Sequence, residues 1–84
     1  MTSEQIEKYI ELARRKHSPV FIHFKDRQTV EGVFIVGNDY AELKSKNLWR
    51  IVTETKYSQW KQNKDMNLSR IFNGISFTRL SEES

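Results

Sequence analysis

The first apolar pattern of the chain has the period of an α-helix. Apolar residues recur three and four positions apart, at Ile6, Tyr9, Ile10 and Ala13. This spacing gathers apolar side chains on one helix face. Thr2 and Gln5 have the spacing of a capping box. Pro19 ends the pattern, because the residue before a proline avoids helical backbone. The sequence therefore predicts a helix over residues 3–17.

From Val20 onward the period changes to two, which indicates β-strands. Residues 20–25 form the first predicted strand, and a polar turn at residues 26–28 leads to a second strand over residues 29–36. Gly32 lies inside that second strand. A glycine in mid-strand typically marks a bulge or a sharp bend, so we predict a strongly bent sheet.

The rest of the chain is predicted to complete a small β-structure. A third strand is expected over residues 40–45, running on into residues 48–53. Residues 54–69 have few apolar positions and are predicted to form a long loop or a marginal helix. Residues 70–80 form the last predicted strand, kinked at Asn73.

The fold class that follows is mostly β, with one domain over residues 1–84. It has an N-terminal α-helix and then a small, strongly bent, five-stranded antiparallel barrel.

Composition narrows the class of protein. The chain has 84 residues and no cysteine, which excludes disulfides and thiol chemistry. The longest apolar run, residues 33–36, is far shorter than the roughly 20 residues of a membrane helix. Glu4, Glu7 and Glu11 are unlike a secretory signal. We therefore expect a cytoplasmic protein without a membrane segment.

The sequence offers little support for catalysis. The two histidines, His17 and His23, are six residues apart across a helix–strand junction, which is not a local metal chelate. Glycine-rich phosphate loops and nucleophile elbows are absent. We predict that the chain is not an enzyme and uses no cofactor or metal.

Charge is distributed unevenly in a chain of net charge +3. Residues 1–12 have a balance of −2, whereas residues 13–27 have a balance of +4. A basic surface of this kind attracts phosphates. The candidate phosphate-binding residues are Arg14, Arg15, Lys16 and His17. The alternative is a solvated helix end whose cations are favoured by the helix dipole.

Two groups of aromatic residues are candidates for stacking on bases. Tyr40 follows a polar turn and can offer a face to a base or pack across strands. Tyr57 and Trp60 lie among lysines. They are suited to nucleic acid, or to covering the apolar surface of a neighbouring subunit or another protein partner. The sequence leaves both pairs of alternatives open.

Three parts of the chain resemble the bacterial Hfq RNA chaperones of the Sm-like superfamily. They are residues 13–20 with the hairpin reaching Gly32, the turn at residues 38–40, and residues 71–77 with Asn73-Gly74. Together with the helix, the resemblance covers about two-thirds of the chain.

The resemblance implies a helix on a bent five-stranded barrel. It also implies a closed ring of five to seven subunits, in which the fourth strand of one subunit pairs with the fifth strand of the next. Its implied RNA-binding residues are Arg14, Arg15, Lys16 and His17 at a basic rim, Tyr40 stacking a uridine, Asn38 and Asp39 beside it, and Asn73 as a polar contact.

The chain also departs from the Hfq pattern. Phe72-Asn73-Gly74 stands in place of a lysine–histidine pair, Ile6 takes a position where Hfq has a glutamine, and the segment of residues 54–69 is longer. The resemblance predicts a homo-oligomeric ring that binds single-stranded RNA and acts as a post-transcriptional regulator. The alternatives are an Sm-like interaction ring without RNA recognition and a monomeric barrel that binds DNA.

Overall fold

The computed structural model describes the backbone of residues 1–16 and 19–82, and the side chains of residues 1–12 and 19–82. It contains the helices α1 (Ser3–Lys16), α2 (Tyr40–Ser45) and α3 (Glu54–Asn63). Its strands are β1 (Val20–Phe24), β2 (Val30–Phe34), β3 (Leu48–Thr53), β4 (Arg70–Asn73) and β5 (Phe77–Ser81). Among the described residues, every helix is too short or too polar to span a bilayer.

Helix α1 confirms the predicted helix and its capping box. The Thr2 N–H donates to Gln5 Oε1 at 3.0 Å, and the Gln5 N–H donates to Thr2 Oγ1 at 3.2 Å. These reciprocal bonds satisfy donors that the first helical turn leaves open. Ile6 and Ile10 are buried in the core, as the apolar stripe predicts.

All five strands belong to one antiparallel sheet with the order β4-β3-β2-β1-β5. The core is packed against α1, and its buried residues are Ile6, Ile10, Val20, Ile22, Phe34, Trp49, Ile51, Phe72, Phe77 and Leu80. The N-terminal helix and the five-stranded antiparallel sheet of the predicted fold class are thus confirmed. The chain is a small α/β structure rather than a mostly β one, because α2 and α3 add to α1. Strands β4 and β5 stand at the two ends of the order, and no described ladder joins them to close a barrel.

The sheet is curved. Phe24 on β1 and Phe72 on β4 have ring centroids 5.9 Å apart, although β2 and β3 lie between their strands. In a flat sheet those strands would be about 14 Å apart, at roughly 4.8 Å per spacing. The curvature therefore brings the side chains of β4 back towards β1.

Gly32 is explained by close packing between β2 and β3 rather than by a bulge. It pairs in regular register with Val20 and Thr53. A Cβ at this position would lie 2.7 Å from Ile51 Cγ2 and 2.9 Å from the Val52 carbonyl oxygen. The register shift that we find lies instead between His23 and Phe24, in the β1–β5 ladder.

Residues 40–45 are a helix, so the predicted strand there is wrong. The segment contains alanine, glutamate, leucine and lysine, which are strong helix formers. Glu42 lies in its first turn and Lys44 in its last, where each charge suits the helix dipole. These local preferences favour a helix over the predicted strand.

The C-terminal half also differs in detail from the prediction. Helix α3 occupies much of residues 54–69, which confirms the helical alternative over the loop. The kink at Asn73 is a complete break: a single 3-10 turn, Gly74–Ser76, separates β4 from β5. Residues 70–80 are therefore two strands at opposite ends of the sheet order, not one.

Candidate nucleic-acid interface

The candidate site is built around α2, which connects β2 to β3. Its first residue is Tyr40, and Asn38 and Asp39 precede it. Its far end turns at Asn47 into β3. The structure therefore places three of the predicted RNA-binding residues in consecutive positions at the start of a short helix.

Asp39 is held by an arginine on β3. The Arg50 guanidinium donates to the Asp39 carboxylate from Nε at 3.2 and 3.1 Å and from Nη2 at 2.7 Å. Arg50 Nη1 also donates to Ser69 Oγ at 3.3 Å. A bidentate pair of this kind fixes orientation as well as charge, so Asp39 anchors the start of α2 to β3.

This pair shifts the ionisation of both groups. The Arg50 hydrogen bonds lower the pKa of the Asp39 carboxyl below its ordinary value, although desolvation opposes the shift. The same hydrogen bonding raises the pKa of the Arg50 guanidinium. Both groups are therefore charged at neutral pH, and the carboxylate has its guanidinium partner within the subunit.

Tyr40 is half-buried and packs on the core. Its aromatic ring lies 6.0 Å from that of Trp49 in an edge-to-face arrangement. The Lys44 ammonium lies 5.6 Å from the Tyr40 ring centroid. The structure thus shows the packing interpretation of Tyr40, with the residue only partly buried, while stacking on a base stays a prediction.

Lys44 links α2 to α1. Its Nζ donates to Glu7 Oε2 at 2.7 Å, and its carbonyl oxygen accepts from Ser3 Oγ at 2.9 Å. Hydrogen bonding with Glu7 raises the pKa of the Lys44 ammonium.

Lys44 and Arg50 were not among the predicted site residues. A helical prediction for residues 40–45 would have placed Lys44 one turn after Tyr40; no local pattern points to Arg50.

Asn73 lies at the other end of α2 from Asn38. Its backbone pairs with Leu48, and the Gly74 N–H donates to the Asn47 carbonyl oxygen at 2.8 Å. The Asn73 Oδ1 atom accepts from the Ile75 N–H at 3.0 Å. Asn73 therefore caps the turn between β4 and β5, while Asn38 is exposed at the opposite end of the helix.

The basic candidates are only partly described. The backbone of Arg14, Arg15 and Lys16 forms the last turn of α1, and His17 lies outside the described residues. That turn is roughly 10 Å further along the helix axis than Glu7, at 1.5 Å per residue. The described contacts of α2 with α1 are made by Ser3 and Glu7, so α2 lies beside the N-terminal half of α1 and the basic turn lies at the other end of α1.

Helix α3 carries the remaining candidates, Tyr57 and Trp60. Both are half-buried, and they lie one helical turn apart. The Lys61 ammonium is 5.6 Å from the Tyr57 ring centroid, and the Lys64 ammonium is 5.4 Å from that of Trp60.

Comparisons with protein-family models, with curated proteins and with solved structures found no match to this chain. These comparisons identify no Sm-like relationship, and the resemblance rests on the residues quoted above alone.

Proposed function

We propose that this chain assembles edge to edge into an Sm-like ring that binds single-stranded RNA. Each subunit would contribute a strongly bent five-stranded barrel. The ring would be closed by pairing of β4 of one subunit with β5 of the next. The observation that carries the proposal is the strand order, with β4 and β5 at its two ends.

Two further features support assembly through these strands. Sheet edges with one neighbour invite pairing with another chain. Near the β4 edge, Ile71 is 48% exposed and Ile75, in the following turn, is 66% exposed. Sheet curvature, measured by the approach of Phe24 to Phe72, suits a barrel in which an added strand continues the bend.

RNA binding is supported at the surface shared by α1 and α2. Tyr40 would stack a base on the exposed part of its ring, and the exposed Asn38 would supply a polar contact. Arg14, Arg15, Lys16 and His17 would bind phosphates. A ring multiplies each weak contact by the number of subunits, so avidity raises the affinity for a long strand.

Asp39 and Asn73 receive positioning roles in this proposal. Asp39 is bound by Arg50, and Asn73 caps the turn before β5. Both residues would therefore affect the site by fixing the position of the backbone around it. The same observation favours the second candidate function, an interaction ring without RNA recognition, because these two side chains already have partners within the subunit.

The test is the affinity of the full chain for labelled oligouridylate, measured by fluorescence anisotropy. Tyr40→Ala is expected to weaken binding about fivefold or more per stacked base. Tyr40→Phe keeps an aromatic ring on Trp49 and is expected to retain most of the affinity. Equal affinity of the wild type and a folded Tyr40→Ala variant would remove Tyr40 from the site.

A charge variant tests the rim separately. Arg14→Glu with Arg15→Glu is expected to weaken binding to every RNA sequence and to reduce the salt dependence, since phosphate contacts release counterions. An intact ring that shows no RNA binding at physiological salt would favour the interaction ring. A monomer with a preference for duplex DNA would favour the monomeric barrel.

A further inference from the structure

Helix α3 presents two large aromatic side chains that do not belong to the main core. None of its residues is fully buried, and Tyr57 and Trp60 are both partly exposed. The exposed part of each aromatic side chain is therefore accessible to a ligand.

Each aromatic ring of α3 is accompanied by an ammonium group one helical turn further on. Lys61 follows Tyr57 by four residues, and Lys64 follows Trp60 by four. Tyr57 and Lys61 share a face of α3 at this spacing, and Lys64 is the left-handed residue that directly follows the helix. The measured distances of 5.6 and 5.4 Å from ammonium to ring centroid fit that arrangement, and both lysines are exposed. The face thus repeats one unit, an aromatic ring with a cation, twice along the helix.

This face lies across the sheet from α1. Helix α3 packs on β2 and β3. Val52 is fully buried but lies outside the main core cluster. Side chains alternate between the faces of a strand, so Val52 points away from the face that holds Ile51 and α1. The α3 face is thus separate from the surface formed by α1.

We infer that the Tyr57, Trp60, Lys61 and Lys64 face of α3 is a second binding site for single-stranded nucleic acid. Bases would stack on the two aromatic rings, and the two ammonium groups would bind the adjoining phosphates. The inference goes beyond the proposed function, because this site lies within one subunit and does not require a ring.

Charge and shape favour nucleic acid as the occupant. Residues 54–64 contain three lysines and one glutamate, which complements a polyanion. Every base offers a π-face to an aromatic side chain, so the stacking tolerates any sequence. An acidic peptide matches the ammonium groups, but its carboxylates do not alternate with a π-face at every residue. A strand of nucleic acid matches both halves of the repeated unit.

Tryptophan emission of the full chain can report occupancy of this site. Trp49 is 2% exposed and serves as an internal reference, whereas Trp60 is partly exposed. Oligouridylate is expected to quench the emission at low salt, and this quenching is expected to disappear in Trp60→Phe. Affinity, followed by anisotropy, is expected to fall about fivefold or more in Trp60→Leu and much less in Trp60→Phe, because phenylalanine keeps an aromatic face.

The charge test uses two matched double variants. Lys61→Glu with Lys64→Glu is expected to weaken oligouridylate binding about tenfold and to lower the salt dependence. The control, Lys25→Glu with Arg27→Glu, changes the same number of exposed cations in the turn between β1 and β2. It is expected to weaken binding by less than about twofold.

Three results would overturn the inference. The first is a Trp60 emission that oligouridylate leaves unchanged at low salt. The second is equal weakening in the two charge variants. The third is tight binding of polyglutamate in place of RNA, which would indicate an acidic protein partner.

The same variants distinguish the α3 site from the proposed function. Loss of binding only in the Tyr40 and Arg14/Arg15 variants would overturn the α3 site. Loss of binding only in the α3 variants would overturn the site at Tyr40.

Discussion

Arg50, Asn47 and Lys44 are side chains that connect α2 to the rest of the molecule. Arg50 holds the start of the helix through Asp39. At its end, Asn47 Oδ1 accepts from Trp49 Nε1 at 2.8 Å, and Asn47 Nδ2 donates to the Met1 carbonyl oxygen at 2.9 Å. Since α2 has no buried residue, these polar contacts, together with the packing of Tyr40, determine where the candidate site lies.

The Arg50–Asp39 pair predicts a specific pH dependence of stability. The folded-state pKa of Asp39 is lowered, so its contribution is present above the unfolded-state pKa and is lost as the pH falls through the folded-state value. Asp39→Asn is therefore expected to lower the free energy of unfolding near pH 6, with a gap that narrows towards pH 3. Urea unfolding across this range measures it. Asp26→Asn, in the exposed β1–β2 turn, is the control. A gap for Asp39→Asn that stays constant with pH would contradict the assignment.

Two glycines provide a matched test of close packing. In Gly32→Ala the new Cβ meets Ile51 and the Val52 backbone, and we expect a loss of about 1–3 kcal/mol in the free energy of unfolding. In Gly37→Ala the near neighbour is Met66 Cε, at the end of a flexible side chain. We expect a change below about 0.5 kcal/mol there. Denaturant unfolding compares the two variants, and equal losses would argue against tight packing of β2 on β3.

For single residues, the sequence indicated candidate positions but not the side chains that contact them. It identified Tyr40 and Asn38 as candidates, and it recognised Gly32 as special. It could not reveal that Arg50 binds Asp39, because the two are eleven residues apart in different elements and meet only after β3 pairs with its neighbours. Nor could it show that Asn73 caps the turn before β5.

The helices and strands of the fold depend on local signals of unequal strength. Helix α1 and strands β1 and β2 have a clear period and were predicted within a few residues. Helix α2 has six residues, too few for a period to distinguish it from a strand. Strands β4 and β5 were predicted as one, because nothing local to residues 70–80 shows that the two halves belong to opposite ends of the sheet order.

Two helix ends have left-handed backbone at non-glycine residues, Asn47 with φ of 59° and Lys64 with φ of 54°. Glycine adopts this conformation at lower cost. Lys64→Gly is therefore expected to raise the free energy of unfolding by about 0.5–1 kcal/mol. Lys61→Gly, inside α3, is expected to lower it by about 1 kcal/mol. Thermal or urea unfolding of the two variants measures the sign of each change in the free energy of unfolding. Changes of the same sign would contradict the assignment of Lys64 as the end of α3.

Asn47→Gly is expected to behave in the opposite way to Lys64→Gly. Glycine removes the cost of the left-handed backbone, but the substitution also removes the hydrogen bonds of the Asn47 side chain. The second effect is larger, because Trp49 Nε1 is left without its acceptor. We expect a net loss of about 1–3 kcal/mol, the usual cost of an unsatisfied buried polar group. The same unfolding measurement applies. Stabilisation by Asn47→Gly would show that the bonds to Trp49 and Met1 contribute little.

At the scale of the whole molecule, we expect subunits to assemble through β4 and β5. A subunit of 84 residues is a size at which a single core gives modest stability. Pairing of the strand edges would add backbone hydrogen bonds and cover Ile71. The sequence pattern suggested this arrangement only through the Sm-like resemblance; the order β4-β3-β2-β1-β5 supports it independently.

A surface substitution on β4 tests this interface. Ile71→Lys places a charge on an exposed apolar position of the edge strand, a change that discourages edge-to-edge pairing. We expect a large fall in the assembled fraction at a given protein concentration, measured by sedimentation velocity. Leu12→Lys is the control, because Leu12 is also exposed but lies on α1. Equal assembly of the two variants would place the contact elsewhere.

The most direct measurement is native mass spectrometry of the purified chain, without nuclease treatment, over a series of salt concentrations. We expect a ring of five to seven subunits that binds RNA at low salt and releases it as the salt concentration rises. A monomer at every protein concentration would contradict the proposed assembly.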